Sequence, residues 1–105
     1  MDRLYINVPE DELAQFCVKW KITEFAVFGS AVRGDWNPES DLDVLVTFVP
    51  ETGWSLFDHM RMEEELTRLF ERKIDLFSKK AVESSHNWLR RREILSTAEV
   101  IYGAG

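Results

Sequence analysis

Apolar side chains recur along the first part of this chain at helical spacing and then form a short continuous run. The first set lies on one helical face: Leu13, Phe16, Cys17 and Trp20. Because Pro9 and three acidic residues stand just before it, we expect an amphipathic helix that begins near Pro9. The run from Phe25 to Phe28 is short and apolar, which predicts a buried strand that ends at Gly29-Ser30.

After residue 30 a polar segment leads into a second series of strands and helices. Residues 31–40 are polar and contain glycine and proline, so we expect a brief helical turn and then a loop. The alternation from Leu42 to Val49 predicts a strand, with Asp41 and Asp43 on the face away from its apolar side chains. The remaining predicted elements are a helix over 54–72, a strand over 73–78, a helix over about 84–97 and a short strand or packed tail over 100–102.

Length and charge narrow the class of protein. A chain of 105 residues has the size of one domain, so we expect a single domain over residues 1–105. Its hydrophobic content of 45% excludes a disordered tail. The net charge is −6, whereas general nucleic-acid binders are usually basic because phosphate neutralisation dominates their affinity. We therefore expect no general nucleic-acid binding, and we interpret the local run Arg90-Arg91-Arg92 as a solvated helix face rather than a partner surface.

The single cysteine and the amino terminus bear on the cellular compartment. Cys17 cannot form a disulfide within the chain, and its place among core residues predicts a buried, unreactive thiol. The first residues are polar and acidic, unlike a signal peptide. No apolar run approaches the ~20 residues that span a bilayer. We therefore expect a cytoplasmic protein with no membrane association.

The turn Gly29-Ser30 has the features of a phosphate-binding turn. Gly29 lacks a side chain, so backbone N–H groups there can approach a triphosphate. A helical turn that starts near Ser30 would direct its free N–H groups and dipole towards phosphate, and the Ser30 hydroxyl can donate a further hydrogen bond. Taken alone, however, Gly-Ser is typical of an ordinary turn.

Asp41 and Asp43 are a candidate metal-binding pair. Two residues apart on a strand, they share a face with Cα atoms about 7 Å apart. Their carboxylates are hard oxygen donors that can bind one Mg²⁺ or bridge two, and a cation would relieve their mutual repulsion. An Asp-x-Asp pair is also common on solvated strands. Its fixed spacing from Gly29-Ser30 is what favours function.

Together these residues resemble a known signature. Read along the chain it is Gly29-Ser30, ten residues, then Asp41-x-Asp43. This pattern resembles the signature of the DNA polymerase β-like nucleotidyltransferase superfamily. With Arg33-Gly34 and Ser40 included, it is similar to the minimal nucleotidyltransferases, the MntA-type antitoxins that pair with HEPN-domain toxins. The resemblance covers nearly the whole chain and implies an α/β (α+β) fold, with a small mixed β-sheet flanked by helices.

The resemblance assigns roles to three acids. Asp41 and Asp43 would hold two Mg²⁺ ions on the triphosphate of ATP. Asp75, on the strand predicted over 73–78, would complete one metal site and help to activate the attacking hydroxyl as a general base. The alternative for Asp75 is a charge on an edge strand that faces water.

The resemblance also assigns phosphate ligands. Gly29 and Ser30 would bind the β- and γ-phosphates. Arg33 is either a further phosphate ligand or a partner in a surface salt bridge, and the sequence leaves both open.

The implied reaction is an in-line attack on the α-phosphorus of ATP, with pyrophosphate leaving. The implied acceptor is a tyrosine hydroxyl of a cognate HEPN ribonuclease toxin, which is adenylylated and thereby neutralised. Two alternatives stay open: an antitoxin that binds its toxin sterically with the nucleotide site idle, and nucleotidyl transfer to a small hydroxylated acceptor.

Overall fold

The computed structural model describes residues 8–29 and 41–103. Within those residues the chain forms four helices and four strands. The helices are α1 (Glu10–Lys19), α2 (Leu56–Phe70), α3 (Lys79–Glu83) and α4 (Trp88–Thr97). The strands are β1 (Ile22–Phe28), β2 (Leu42–Phe48), β3 (Ile74–Ser78) and β4 (Glu99–Gly103). The helical turn and loop expected over 31–40 lie outside the described residues.

The four strands form one mixed sheet in the order β3-β2-β1-β4. β1 runs antiparallel to both β2 and β4, while β2 and β3 are parallel. Because parallel neighbours need a crossover connection, α2 links β2 to β3 across one face of the sheet. The predicted mixed sheet with flanking helices is confirmed, and the tail expected over 100–102 lies within β4.

One face of the sheet packs against α1 and α2 and forms the main core. Its fully buried side chains include Phe25 and Val27 of β1, Leu42, Val44 and Val46 of β2, and Met62 and Leu66 of α2. The Phe25 ring stands edge-on to Phe16, with centroids 6.4 Å apart, and stacks on Phe70 at 6.3 Å. The helical face predicted from the sequence is confirmed here, because Leu13, Phe16, Cys17 and Trp20 are all buried.

Burial also explains the chemistry of the cysteine. The Cys17 side chain is inaccessible to solvent, and burial raises the pKa of its thiol to about 12. The prediction of a buried thiol is therefore confirmed. A thiol with so high a pKa carries very little thiolate near neutral pH, so it packs as a small apolar side chain.

A hydrogen-bonded contact joins α1 to α2 beside this core. Glu65 accepts from Lys19 Nζ at 2.7 Å and from Trp20 Nε1 at 3.1 Å. Burial raises the pKa of Glu65, but these two hydrogen bonds and the Lys19 charge outweigh it and hold the pKa below its usual value. The indole N–H of Trp54 donates to the Trp20 carbonyl at 3.0 Å, so Trp54 packs locally.

The helix predicted over 84–97 is wrong at its start. Two side chains act as separate helix caps: Ser78 accepts from the Ala81 N–H, and Asn87 accepts from the Arg90 N–H. Each satisfies a backbone donor that the following helix leaves unpaired, so α3, which the sequence did not predict, forms as a separate short helix before α4. As a result α4 begins at Trp88.

The opposite face of the sheet is covered by α3 and α4 and holds a smaller apolar cluster. Its buried members are Ala26, Phe28, Leu45, Val82 and Ile94. The Phe28 and Phe77 rings lie 5.5 Å apart on this face. Among the described helices, none combines the length and the hydrophobicity that spanning a bilayer requires.

Candidate active site

The end of β1 and the beginnings of β2 and β3 meet at one edge of the sheet, on the face covered by α4. Asp43 of β2 lies directly opposite Asp75 of β3 in the parallel register. Neighbouring strands are about 4.8 Å apart, and directly opposed residues share a face. Leu42 and Ile74, one residue earlier on each strand, are buried in the main core on the other face. The register therefore brings two carboxylates side by side.

Gly29 comes directly after β1 and touches this pair. Its φ is +77°, in a region that side-chain-bearing residues seldom adopt. A Cβ atom added to Gly29 would lie 2.5 Å from Asp43 Oδ2, which is closer than real Cβ contacts allow. Glycine is thus needed here for both its backbone conformation and its lack of a side chain. The turn that the sequence assigns to phosphate lies against one of the acids that it assigns to metal.

Asp41 stands at the same edge but not in the same cluster. It precedes β2 with a side chain 41% exposed, and its Oδ2 lies 3.9 Å from Lys73 Nζ. The Leu42 N–H donates to the Lys73 carbonyl at 2.9 Å, which holds the two strand starts together. In the described residues no three His, Cys, Asp or Glu side chains are close enough to share one metal ion. The structure therefore joins Asp43 with Asp75 and leaves Asp41 beside a lysine.

Two of the predicted phosphate ligands, Ser30 and Arg33, lie outside the described residues. Their roles stay predictions from the signature. The same holds for Gly34 and Ser40, which contribute to the resemblance.

A cavity of about 210 Å³ opens beside the acid pair, between the sheet and α4. Asp43, Gly29 and Phe28 line it from the sheet. Arg90, Glu93, Ile94 and Thr97 line it from the helix. The helix side of this site was not predicted from the sequence. The available signal was spacing, since the polar residues 90, 93 and 97 follow at i, i+3 and i+7 and so share one helical face.

A larger cavity among the described residues lies elsewhere. It measures about 440 Å³ and is lined by residues 46–55 with parts of α2, β3 and α3. These residues come from the far end of β2, several residues beyond Asp43, and include neither Gly29 nor the acid pair. We place the candidate site by its chemistry rather than by cavity size, because a triphosphate with its cation needs carboxylates and a close backbone approach.

Comparison with known proteins places this geometry in a family. Residues 11–101 match the family model described as nucleotidyltransferase domain. A Methanocaldococcus jannaschii protein with the provisional name protein adenylyltransferase is 32% identical over 68 residues, which is 65% of this chain and 68% of that protein. The protein adenylyltransferase MntA of Thermococcus cleftensis is 38% identical over 66 residues, which is 63% of this chain and 65% of that protein.

Solved structures share the fold. A structure provisionally described as a minimal nucleotidyltransferase matches with a TM-score of 0.66 and 31% identity, over 85% of each chain. A toxin–antitoxin structure with AMP-PNP matches with a TM-score of 0.70 and 16% identity, over 92% of this chain and 75% of that one. A tri-AMPylated Shewanella oneidensis HEPN toxin in complex with its MNT antitoxin matches with a TM-score of 0.59 and 14% identity, over 90% of this chain and 70% of that one.

The family match covers most of the chain, and the structural matches confirm the predicted fold class. The resemblance drawn from the signature is likewise confirmed by the relatives and their names. The chain therefore belongs to the nucleotidyltransferase domain family.

Proposed function

We propose that this protein is a Mg²⁺-dependent protein adenylyltransferase that acts as an antitoxin. It transfers AMP from ATP to a tyrosine of a cognate HEPN-domain ribonuclease toxin and so neutralises the toxin. The observation that carries the proposal is the register of Asp43 opposite Asp75, with Gly29 against Asp43. Because ATP is the donor, we place the reaction in the cytoplasm.

The donor set fits magnesium. Mg²⁺ is usually held by one or two carboxylates together with substrate phosphates, and it seldom needs an all-protein cage. Asp43 and Asp75 supply two carboxylates on adjacent strands, so the remaining ligands would come from ATP and water. When bound, Mg²⁺ would stabilise the charge that develops on the phosphates.

The resemblance gives Asp41 to the same cation, although Asp41 lies beside Lys73 in this structure. That ion pair is long, at 3.9 Å, and both side chains are well exposed. Exposed pairs of this kind contribute little to stability, so Asp41 can exchange Lys73 for a cation at small cost.

Asp75 also acts on the acceptor as a general base. Asp75 accepts the proton of the tyrosine hydroxyl, whose oxygen forms a bond to the α-phosphorus of ATP. The bond between the α-phosphorus and the oxygen that joins it to the β-phosphorus breaks, and pyrophosphate leaves with that oxygen.

Gly29 and Ser30 hold the β- and γ-phosphates, and Arg33 contributes a further positive charge.

Two comparisons support the choice of a protein acceptor. The Thermococcus cleftensis relative bears the name protein adenylyltransferase, and one matching fold is described in complex with an AMPylated HEPN toxin.

The test is a transfer assay with the candidate toxin, Mg²⁺ and ATP labelled at the α-phosphate. We expect label on a toxin tyrosine, located by peptide mass spectrometry, and loss of the toxin's ribonuclease activity. Asp43→Asn should lower the transfer rate by about 10²–10³-fold, because several kcal/mol of charge stabilisation is lost and each 1.36 kcal/mol is tenfold.

The matched control is Asp11→Asn, which removes an exposed acid from the first turn of α1 and should transfer like the unaltered protein. Full toxin neutralisation by a folded Asp43→Asn protein that transfers no label would favour steric binding instead. Label that appears on a small hydroxylated compound and not on the toxin would favour the other acceptor class.

A further inference from the structure

Arg90 stands on the α4 side of the cavity that contains Asp43. Its guanidinium carbon lies 5.8 Å from the centroid of the Phe77 ring. Phe77 is two residues beyond Asp75 on β3 and therefore on the same face of the sheet. Arg90 lines the cavity together with Asp43 and Gly29. A cation is thus held on an aromatic ring, across the cavity from the glycine turn.

Arg90 differs from its neighbours in how its charge is used. The Arg91 guanidinium donates to the Ser85 carbonyl at 2.8 Å, which ties α4 to the preceding loop. Arg90 and Arg92 are both exposed, but of these two only Arg90 lines the cavity beside Asp43 within residues 8–29 and 41–103. In the same part of the chain, no carboxylate forms an ion pair with Arg90. Of the three consecutive arginines, Arg90 is the one whose guanidinium is available to a ligand in the cavity beside Asp43.

We propose that Arg90 binds the triphosphate of the nucleotide. This inference rests on the proposed function and adds a residue that the signature does not contain. A guanidinium presents two parallel donors that match two phosphate oxygens, and such charge-assisted pairs are among the stronger hydrogen bonds. The contact with Phe77 favours one orientation of the group, which reduces the side-chain freedom that is lost on binding.

Charge balance also favours a cation near the triphosphate. The sheet side of the cavity carries the Asp43 carboxylate with Asp75 beside it, and the chain as a whole has a net charge of −6. A triphosphate would be repelled unless positive groups offset these charges. Bound Mg²⁺ offsets part of them, and Arg90 supplies positive charge from the opposite side.

Glu93 lines the same cavity and sets the kind of ligand that fits. Its carboxylate would repel a bare phosphate but can accept hydrogen bonds from hydroxyl groups. A cavity with an arginine and a separate carboxylate suits a ligand that bears both phosphates and hydroxyls. A nucleotide has both groups, whereas inorganic phosphate has only one.

The test compares Arg90→Gln with Arg92→Gln in calorimetric titrations without any acceptor protein. Both variants remove one charge from α4, but only the first removes it from the cavity. We expect Arg90→Gln to weaken Mg·ATP binding about 10- to 100-fold, as loss of a charge-assisted hydrogen bond does. Arg92→Gln should stay within about twofold, because its charge lies outside the cavity and solvent screens it from the ligand.

Adenosine separates a phosphate contact from general damage to the site. It lacks phosphates, so Arg90→Gln should bind it as well as the unaltered protein does, while Arg90→Lys should recover part of the Mg·ATP affinity. Melting curves of both glutamine variants establish that they are folded.

The inference is overturned if Arg90→Gln binds Mg·ATP as tightly as the unaltered protein does. It is also overturned if adenosine and Mg·ATP weaken equally, because Arg90 would then be structural. If the unaltered protein binds no nucleotide, the proposed function itself fails and this inference falls with it. If the unaltered protein binds Mg·ATP and Arg90→Gln binds it equally well, only the inference about Arg90 is wrong and the proposed function stands.

Discussion

The two faces of the sheet differ in what covers them and in what they carry. Under α1 and α2 the side chains are apolar and almost wholly buried, as Val44 and Leu66 illustrate. Under the short α3 and α4 the cover is incomplete, and the face holds a smaller apolar cluster, a carboxylate pair and a cavity. The main hydrophobic core thus lies on one side of the sheet, and the candidate active site lies on the other.

The strand β2 contributes side chains to both faces of the sheet. Its alternating residues send Leu42, Val44 and Val46 into the closed core, while Asp43 points to the open face. Two adjacent carboxylates buried on the closed face would suffer desolvation and mutual repulsion without a cation. On the open face they are half-buried, so solvent or a cation can reach them.

The largest expected effect on stability comes from a substitution in the closed core under α1 and α2, and it distinguishes that face from the open face. Leu66→Ala empties a fully buried position on the closed face and should lower the free energy of unfolding by about 2–5 kcal/mol. Nucleotide affinity per folded molecule should stay nearly unchanged, because Leu66 lies on the other side of the sheet from Asp43. Urea unfolding and a nucleotide titration check the two parts.

Leu56→Ala is the matched control for that substitution, since Leu56 belongs to the same helix and is 74% exposed. It should change the unfolding free energy by less than about 0.5 kcal/mol. Equal losses from the two alanines would contradict the closed-core account.

The next largest effect is expected at the end of β1, where Gly29 lies against Asp43. Gly29→Ala must accept a positive φ and also place Cβ against the Asp43 carboxylate. We expect a loss of about 2–4 kcal/mol in unfolding free energy, with nucleotide binding reduced because the turn and the acid must both shift. Thermal unfolding and titration with Mg·ATP measure these two changes.

Gly53→Ala is the comparison that isolates the contact. Gly53 has a φ of +69°, but a Cβ atom added there would meet no other group within 4 Å, so it carries only the backbone cost of about 1–2 kcal/mol. If the two variants lose the same stability and both bind nucleotide normally, the contact between Gly29 and Asp43 has no functional importance.

The smallest effect concerns the start of α2, away from the site. Asp58 accepts hydrogen bonds from the Ser55 N–H at 2.8 Å and from the Ser55 hydroxyl at 3.0 Å, which hold its pKa below the usual value. The folded state therefore binds this proton less tightly than the unfolded state does. The stabilisation is complete above about pH 4, the unfolded value, and is lost as the pH falls through the folded pKa.

Asp58→Asn measures this contribution. The stability difference between the unaltered protein and Asp58→Asn should be constant from pH 7 to pH 5 and should shrink below about pH 4. Urea unfolding at several pH values gives the difference. A gap that widens in acid would contradict the hydrogen-bonded cap.

The sequence predicted the elements that depend on local pattern. Helical spacing identified α1, and alternation placed Asp43 on the face opposite Leu42 and Val44. It could not predict that Asp43 and Asp75 stand side by side, because the parallel register of β2 and β3 is set by packing between strands distant in sequence. It missed α3 and started α4 near residue 84 instead of at Trp88, because the caps at Ser78 and Asn87 interrupt an otherwise helical pattern.

Arg90 shows a second way in which prediction from the sequence alone falls short. In sequence it is one of three equal arginines, and a solvated helix face was the natural interpretation. Its position over Phe77 and beside Asp43 depends on how α4 crosses the sheet. The spacing of residues 90, 93 and 97 groups Arg90 on one helical face, but it does not show that this face meets β2 and β3.

The central claim is that Asp43 belongs to a metal and nucleotide site on the open face. The direct measurement is thermal unfolding with and without Mg·ATP, for the unaltered protein, Asp43→Asn and the control Asp11→Asn. At a ligand concentration about 100 times its Kd, binding adds about 2.7 kcal/mol, which raises the Tm of a domain this size by roughly 10 °C. We expect that rise for the unaltered protein and Asp11→Asn, and little or none for Asp43→Asn. An equal rise in all three proteins, or none in any, would contradict it.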